Sequence, residues 1–296
     1  MDKGSLVNVD LQPVADVVNN LINKLANVAG WIVTPKGEKA QEIEAQKYLI
    51  EQIKNDENMP LLFKTALISN ASKLIKEYTN QNDIVQMAFS QLSENSNPGG
   101  VSDEWILDFM GYCKNVSNED VKSIWAKILA EECNNNGAVS KRLLNILSLM
   151  DKNEAAMFNK LIQFQIRTGD TYETGTPLLF IYGNPVLNYF FESNGLSDMN
   201  VKQLETIGLV QSDKLAGFSL DNLCGSEKKR VFLYFDTIIE VTPGRKEMPI
   251  GMVVFTPEGE SLARILHVNK VKGFVEHIVK YYENRGYIVN MKSVQE

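Results

Sequence analysis

The chain has 296 residues, of which 44% are hydrophobic, 23% charged and 9% aromatic, the composition of an ordinary globular protein. A formal net charge of −7 provides no overall positive field that would attract nucleic acid or anionic lipid. With 2 histidines and 3 cysteines, little material remains for a zinc site or a Ser-His-Asp triad. We therefore expect no metal site, no cofactor and no enzymatic activity.

The cysteine pattern and the N-terminus indicate the compartment. Cys113, Cys133 and Cys224 are odd in number and widely spaced, which predicts neither a disulfide framework nor a redox motif. Residues 1–10 contain no uninterrupted apolar segment of the kind that secretory signals carry. Polar residues also interrupt residues 14–33, whereas a membrane-spanning helix needs about 20 mostly apolar residues. We expect a cytoplasmic protein.

The first predicted helix covers residues 11–33 and is amphipathic. Val17, Val18, Leu21 and Leu25 recur at the three- and four-residue spacing that forms one apolar stripe. Such a stripe has to be covered, so this helix predicts a homo-oligomer or a protein partner. Peripheral contact with a membrane is the less favoured alternative, because the polar face carries a single lysine among asparagines and attracts anionic lipid weakly.

Helices continue to dominate the chain as far as residue 166. They are predicted at 38–55, 61–78, 81–92, 102–114, 118–133, 140–150 and 152–166. Trp105 and Trp125 lie on apolar faces of two of these helices. Large aromatic side chains in such positions favour core packing over an exposed recognition surface.

Charged residues at the end of the Trp125 helix form one candidate constellation. Glu131 and Glu132 end that helix, and Arg142 lies near the start of the next. Successive helical residues point about 100° apart, so at most one of these glutamates shares a direction with another group. We interpret the set as a structural ion pair between one glutamate and Arg142, with a metal site as the alternative.

The pattern changes after residue 166. A short strand is predicted at 178–182, helices at 185–193 and 198–207, and β-rich runs at 231–241 and 250–256. Two helices followed by a strand and a hairpin are typical of a winged helix-turn-helix. The predicted fold is therefore mainly α: an all-helical region, 1–166, followed by a smaller winged-helix-like α+β region, 167–296.

Basic residues cluster at two places in the second region. Lys228, Lys229 and Arg230 precede one β-rich run, and Arg245 with Lys246 lies at the predicted hairpin tip. These residues suit phosphate contacts or contacts with a protein partner. The helix in the recognition position, residues 198–205, carries two acidic residues and one lysine. Nucleic-acid binding is therefore not the favoured interpretation.

Residues 100–160 carry an ordered pattern: Trp105 and Phe109, then Trp125-Ala126-Lys127-Ile128-Leu129-Ala130-Glu131-Glu132, then Ser140 and Arg142. This pattern resembles an uncharacterised bacterial family, a domain of unknown function, and more remotely the abortive-infection alpha proteins. In that family an Arg-Thr-Leu step often follows the serine, and here only Arg142 matches it. The "LExxGLV" and "TPEGxxLA" segments of the family correspond to residues 204–210 and 256–263.

The resemblance implies an association with anti-phage defence and implies no catalytic residue. Together with the absence of an assembled catalytic set in the sequence, it leads to our first hypothesis: a non-enzymatic component of bacterial defence that acts through protein association, including self-assembly. The alternative hypothesis is a winged-helix, DNA-binding transcriptional regulator that uses residues 185–256.

Overall fold

The computed structural model describes residues 15–32, 39–182, 185–221, 229–242 and 247–293. In this part the chain is mainly helical and has short antiparallel sheets, which confirms the predicted mainly α class. The chain divides into two compact units, Met1–Leu149 and Met150–Glu296. The second unit therefore includes the helical residues 152–164, and the predicted helix 152–166 ends earlier than expected because residues 165 and 166 begin the first strand.

The described part of the first unit contains helices and no strand. They are α1 (Ala15–Ala29), α2 (Lys39–Lys54), α3 (Leu61–Phe89), a 3₁₀ turn (Pro98–Gly100), α4 (Asp103–Cys113), α5 (Glu119–Asn134) and α6 (Lys141–Leu149). The prediction of separate helices at 61–78 and 81–92 is wrong, because both belong to α3. No glycine or proline interrupts this stretch, and the Asn80 amide donates to the carbonyl of Lys114 at 2.9 Å.

The apolar stripe of α1 is covered inside the chain. Val17, Val18, Leu21 and Leu25 are buried, and α1 packs against α4 and the neighbouring 3₁₀ turn. The Lys24 ammonium adds an ion pair to α4. The stripe is thus not an exposed surface awaiting a partner, and the reason we gave for self-association through it does not hold. Residues 11–14 of the predicted helix lie outside the described residues.

An aromatic stack holds the middle of the first unit. The Trp105 ring stacks on Phe109 with centroids 5.2 Å apart, and Phe109 meets Trp125 edge-on at 5.4 Å. Trp105 is 4% exposed and Trp125 0%. Both tryptophans of the sequence pattern therefore pack in the core that α4 and α5 share.

The second unit mixes helices and strands. The helices are α7 (Lys152–Leu161), α8 (Pro185–Ser193), α9 (Asp198–Thr206), α10 (Pro257–Ile265) and α11 (Phe274–Glu283). The strands are β1 (Gln165–Thr168), β2 (Thr176–Leu179), β3 (Val210–Ser212), β4 (Phe218–Asp221), β5 (Arg230–Tyr234), β6 (Thr237–Thr242), β7 (Glu247–Gly251), β8 (Val253–Phe255) and β9 (Ile288–Ser293).

All described strand pairs are antiparallel. One sheet has the order β2-β1-β5-β6-β9, while β3 pairs with β8 and β4 with β7. The single β-run predicted at 231–241 is in fact two strands that turn at Phe235, whose φ is +54°. The apolar run gives no sign of this turn, because an aromatic residue occupies a position that usually favours a small or polar one. The Phe235 ring stacks on Tyr172 with centroids 4.5 Å apart.

Candidate functional site

The candidate site is the exposed surface of α9 together with the 213–217 turn, which we call the α9 surface. Its members are Asp198, Met199, Lys202, Lys214 and Leu215. A capping box between Ser197 and Asn200 fixes the start of α9. Met199 is 63% exposed and Leu215 is 99% exposed, so the surface presents two apolar side chains to solvent.

The charges of the α9 surface are largely neutralised within it. The Lys214 ammonium donates to both oxygens of Asp198 at 2.6 Å, and the Lys202 ammonium lies 3.8 Å from the same carboxylate. The hydrogen bond from Lys214 lowers the pKa of Asp198 below its usual value. Both lysines of the surface therefore contact an anionic partner, which leaves the three side chains with one net positive charge.

Glu205 fastens the end of α9 to the following strand. Its carboxylate accepts hydrogen bonds from the backbone N–H of Ser212 at 2.8 Å and from the Ser212 hydroxyl at 2.7 Å. These bonds use both carboxylate oxygens. The acidic residue that argued against DNA readout in the sequence thus has a structural role in positioning α9.

The two segments that resemble the family in the second unit meet in space. The Thr256 hydroxyl donates to the carbonyl of Gly208 at 2.7 Å, and the Thr256 backbone N–H donates to the carbonyl of Leu209 at 3.1 Å. A Cβ on Gly259 would lie 1.8 Å from the Leu209 carbonyl oxygen. The sequences "LExxGLV" and "TPEGxxLA" therefore form one close backbone contact between the end of α9 and the start of α10, which only glycine permits.

A cavity of about 300 Å³ lies beside α9. Its apolar lining includes Ile181, Phe191, Leu196 and Val253, and the Asp198–Lys214 pair belongs to the same lining. This volume is at the lower end of the range for small-molecule sites. The polar groups of Asp198 and Lys214 already bind each other, and Glu192, Ser197 and Ser212 add further polar groups to the lining.

Two of the five predicted basic contacts fall in the described part of the chain. The Lys229 ammonium binds the Glu240 carboxylate at 2.7 Å. Arg230 is the first residue of β5 and pairs in register with Val241. Lys228, Arg245 and Lys246 lie outside the described residues, so the predicted phosphate-contacting set stays a prediction.

His277 is packed among aromatic rings. Its imidazole stacks on Phe190 with centroids 4.2 Å apart and on Tyr182 at 5.3 Å. Burial lowers its pKa to about 4, so the ring is neutral near pH 7. Its Nε2 atom is buried and has no hydrogen-bond partner among the described residues. The geometry therefore pairs this histidine with no described nucleophile or acid.

Glu132 forms a clamp in the first unit that sequence reasoning missed. Its carboxylate accepts the backbone N–H of Gly137 at 2.8 Å and that of Val139 at 2.9 Å. The Trp105 indole N–H donates to the Val139 carbonyl at 2.9 Å. Burial raises the pKa of Glu132, although both backbone hydrogen bonds act in the opposite direction. The Glu132 clamp thus shapes the loop that leads into α6.

The other members of the predicted charged set lie close to this clamp in sequence. The Glu131 carboxylate accepts a hydrogen bond from the Asn135 amide at 2.8 Å. Arg142 lies in the first turn of α6. The ion pair of Arg142 with one of the two glutamates stays a prediction. The sequence did contain a signal for the clamp, because Gly137 follows Glu132 by five residues and marks a tight turn. In the structure the φ of Gly137 is +86°.

Metal-binding clusters and membrane-spanning helices are lacking in the described part of the chain. Within the described ranges, no group of three or more His, Cys, Asp or Glu side chains could hold a metal ion. No helix in those ranges is both long and apolar enough to cross a bilayer. Cys113 and Cys133 are buried free cysteines, and burial raises the pKa of both thiols, to about 12 for Cys133. These two thiols are therefore poor nucleophiles.

Comparison with known proteins places the chain in a family without assigning it an activity. No curated protein and no solved structure matches it. Its residues 69–279 match the family described as "Protein of unknown function (DUF2806)". This match spans α4 to α10, and it includes both the Glu132 clamp and the α9 surface. The match covers most of the chain, which therefore belongs to the DUF2806 family.

Proposed function

We propose that this protein is a non-enzymatic component of bacterial anti-phage defence that acts in the cytoplasm through protein association. The α9 surface carries this proposal. It exposes Met199 and Leu215, while Lys202 and Lys214 both pair with the Asp198 carboxylate. Exposed apolar side chains beside internally paired charges suit a protein partner better than a phosphate backbone.

We further propose that the second unit is a winged-helix-like docking module. The order α7, β2, α8, α9, β3 and β8 supplies three helices and the paired strands expected of that fold. The strands β4 to β7 lie in sequence between the two wing strands β3 and β8. Winged helices serve in both DNA binding and protein docking, so the surface rather than the fold decides between them.

The defence assignment rests on the sequence pattern. The pattern around Trp105, Trp125 and Glu132 resembles the abortive-infection alpha proteins, and in this chain these residues build the core and the Glu132 clamp. The resemblance therefore supports a shared scaffold. The association with defence is carried over from the resemblance.

A plaque assay tests the proposal. Cells that express the chain with its genomic neighbours should restrict phage, and the double variant Met199→Asp, Leu215→Asp should abolish restriction while keeping the parent's circular dichroism and melting temperature. The matched control is Met291→Asp, because Met291 is also an exposed apolar residue of the second unit, 53% exposed. If cells that express the parent chain remained fully sensitive to phage, the defence function would be rejected. If the double variant restricted phage as well as the parent, the α9 surface would have no part in that function.

The second candidate is a DNA-binding transcriptional regulator. It is favoured by the helix–helix–strand order of α8, α9 and β3 and by the basic residues 228–230 and 245–246. Duplex binding measured at two salt concentrations distinguishes the candidates. A phosphate-contacting wing predicts a steep loss of affinity with salt, and replacing Arg245 and Lys246 by alanine should reduce that dependence. No duplex binding at low salt would exclude this candidate.

A further inference from the structure

Helix α2 presents a charged stripe to solvent. Glu44, Lys47, Tyr48, Glu51 and Lys54 are all exposed, and Tyr48 is 66% exposed. Their spacing places them within one third of the helix circumference. The helix packs against α3, and its half-buried residues lie on the opposite side. This stripe, the α2 stripe, lies outside the residues that match the family.

In the α2 stripe, the side chains at equal distances before and after residue 49 carry opposite charges. Glu44 lies five residues before it and Lys54 five residues after it, while Lys47 lies two before and Glu51 two after. When two copies of such a helix pack antiparallel across a twofold axis at the level of residue 49, Glu44 faces Lys54 of the second copy. Lys47 then faces Glu51 of the second copy. A twofold axis repeats each contact, which gives four complementary pairs.

The same charges are unpaired in the part of the chain that the structure describes. None of Glu44, Lys47, Glu51 and Lys54 makes a side-chain ion pair with any residue that the structure describes. Two acidic and two basic side chains cancel, so the stripe has no net charge that would draw it to nucleic acid or to anionic lipid. The self-complementary order of the charges therefore matches a second copy of this chain better than either of those surfaces.

We propose that α2 is a self-association surface on which a second copy of this chain docks antiparallel. The inference rests on the protein association in the proposed function and names the partner. The exposed Tyr48 ring lies near the centre of the contact and contributes apolar area, while the charge pairs set direction and register, as flanking charges do in coiled coils. One helix pair buries a small interface, so the dimer forms at micromolar or higher concentrations.

A charge-swap experiment tests this surface. Sedimentation equilibrium of the purified full chain measures the dimer dissociation constant for the parent, Lys47→Glu, Glu51→Lys and the double variant. Each single variant places like charges opposite each other in two symmetry-related pairs and should raise the dissociation constant about three- to thirty-fold, because exposed ion pairs are individually weak. The double variant should restore the parent's value.

Mixing the two single variants gives the most discriminating test of the α2 surface. The Lys47→Glu variant carries acidic side chains at both positions and the Glu51→Lys variant carries basic ones, so an equimolar mixture should form a heterodimer that neither variant forms alone. Lys76→Glu is the matched control, because it makes the same charge change at an exposed position on α3 and should leave the dissociation constant unchanged. Equal helix content by circular dichroism checks that α2 is intact.

Three results would overturn the inference: a parent that stays monomeric at all concentrations, a dissociation constant that the swaps do not change, or single variants that fail to associate when mixed. The measurement uses purified protein and does not depend on phage. If the protein failed to dimerise as predicted but still restricted phage, only the α2 surface would therefore be rejected. A charge-swappable dimer in cells that remain phage-sensitive would reject the defence function alone.

Discussion

Trp125 illustrates how a single large side chain acts through packing. Its ring is 0% exposed and meets Phe109 edge-on. The Trp125→Ala variant should lose about 3–5 kcal/mol of unfolding free energy, because it leaves a cavity in the core of the first unit. Leu107→Ala, at a 51% exposed position of α4, is the control and should melt close to the parent. A Trp125→Ala melting temperature within a degree or two of the parent would contradict the core assignment.

Glu132 makes a different residue-scale contribution, since its carboxylate serves backbone groups. Glu132→Ala leaves the buried N–H of Val139 and the more exposed N–H of Gly137 without their acceptor, and we expect a loss of about 1–3 kcal/mol in urea unfolding. The neighbouring Glu131→Ala removes a carboxylate that accepts a hydrogen bond from the Asn135 amide and should cost less than about 1 kcal/mol. Equal losses for the two variants would show that the clamp does not stabilise the loop.

His277 predicts a pH dependence of stability. Burial lowers its folded pKa to about 4, below the ordinary value of about 6.5, so the unfolded chain binds more protons between these values. The free energy of unfolding should therefore fall as the pH drops from about 6.5 towards 4, by on the order of 1–3 kcal/mol from this residue.

The variant His277→Phe isolates that contribution. It keeps an aromatic ring between Tyr182 and Phe190 and removes the titrating group, so its urea-unfolding free energy should fall less between pH 7 and pH 4.5 than that of the parent. The exposed His267 provides the control, because His267→Phe should retain the parent's pH dependence. Identical pH profiles for parent and His277→Phe would exclude the buried histidine as their source.

Sequence periodicity predicts which side of a helix is apolar, and it indicated the buried sides of α4 and α5 around Trp105 and Trp125. It does not indicate which backbone groups a carboxylate will meet. The bonds of Glu132 depend on the turn at Gly137, and those of Glu205 depend on how β3 returns past α9. Such roles follow from loop geometry, which a residue pattern specifies only indirectly.

At the scale of elements, α1 shows that an amphipathic stripe does not identify its own partner. The sequence predicted the stripe and assigned it to a second chain, whereas α4 and the 3₁₀ turn cover it. Leu21→Ala, at a 0% exposed position, should therefore cost about 2–5 kcal/mol in the thermal unfolding of the full chain. The exposed Asn20→Ala should be neutral. A Leu21→Ala variant with the parent's thermal stability would indicate instead that the apolar stripe of α1 lies at the surface.

The β elements were the least predictable from sequence. Residues 165 and 166, which begin β1, were assigned to the end of a helix, and β9 was not identified. Short strands gain stability from their neighbours, so their local sequence carries a weak signal. The strand pairs β3–β8 and β4–β7 join segments far apart in sequence, which no local pattern reveals.

At the scale of the whole molecule, the two units carry different parts of the proposal. The first unit contains the Glu132 clamp and the α2 stripe, and the second contains the α9 surface. Family membership extends over residues 69–279 and therefore includes the clamp and the α9 surface but not the α2 stripe. In our proposal the α9 surface docks a protein partner, and α2 supplies self-association.

The central claim is that this protein acts by associating with protein rather than with nucleic acid. Sedimentation of the full chain over a range of concentrations, alone and with a fluorescent DNA duplex at low salt, tests it most directly. We predict a dimer that grows with concentration and a duplex that sediments as free DNA. A chain that stays monomeric while the duplex co-sediments with it, and is released by added salt, would contradict the claim.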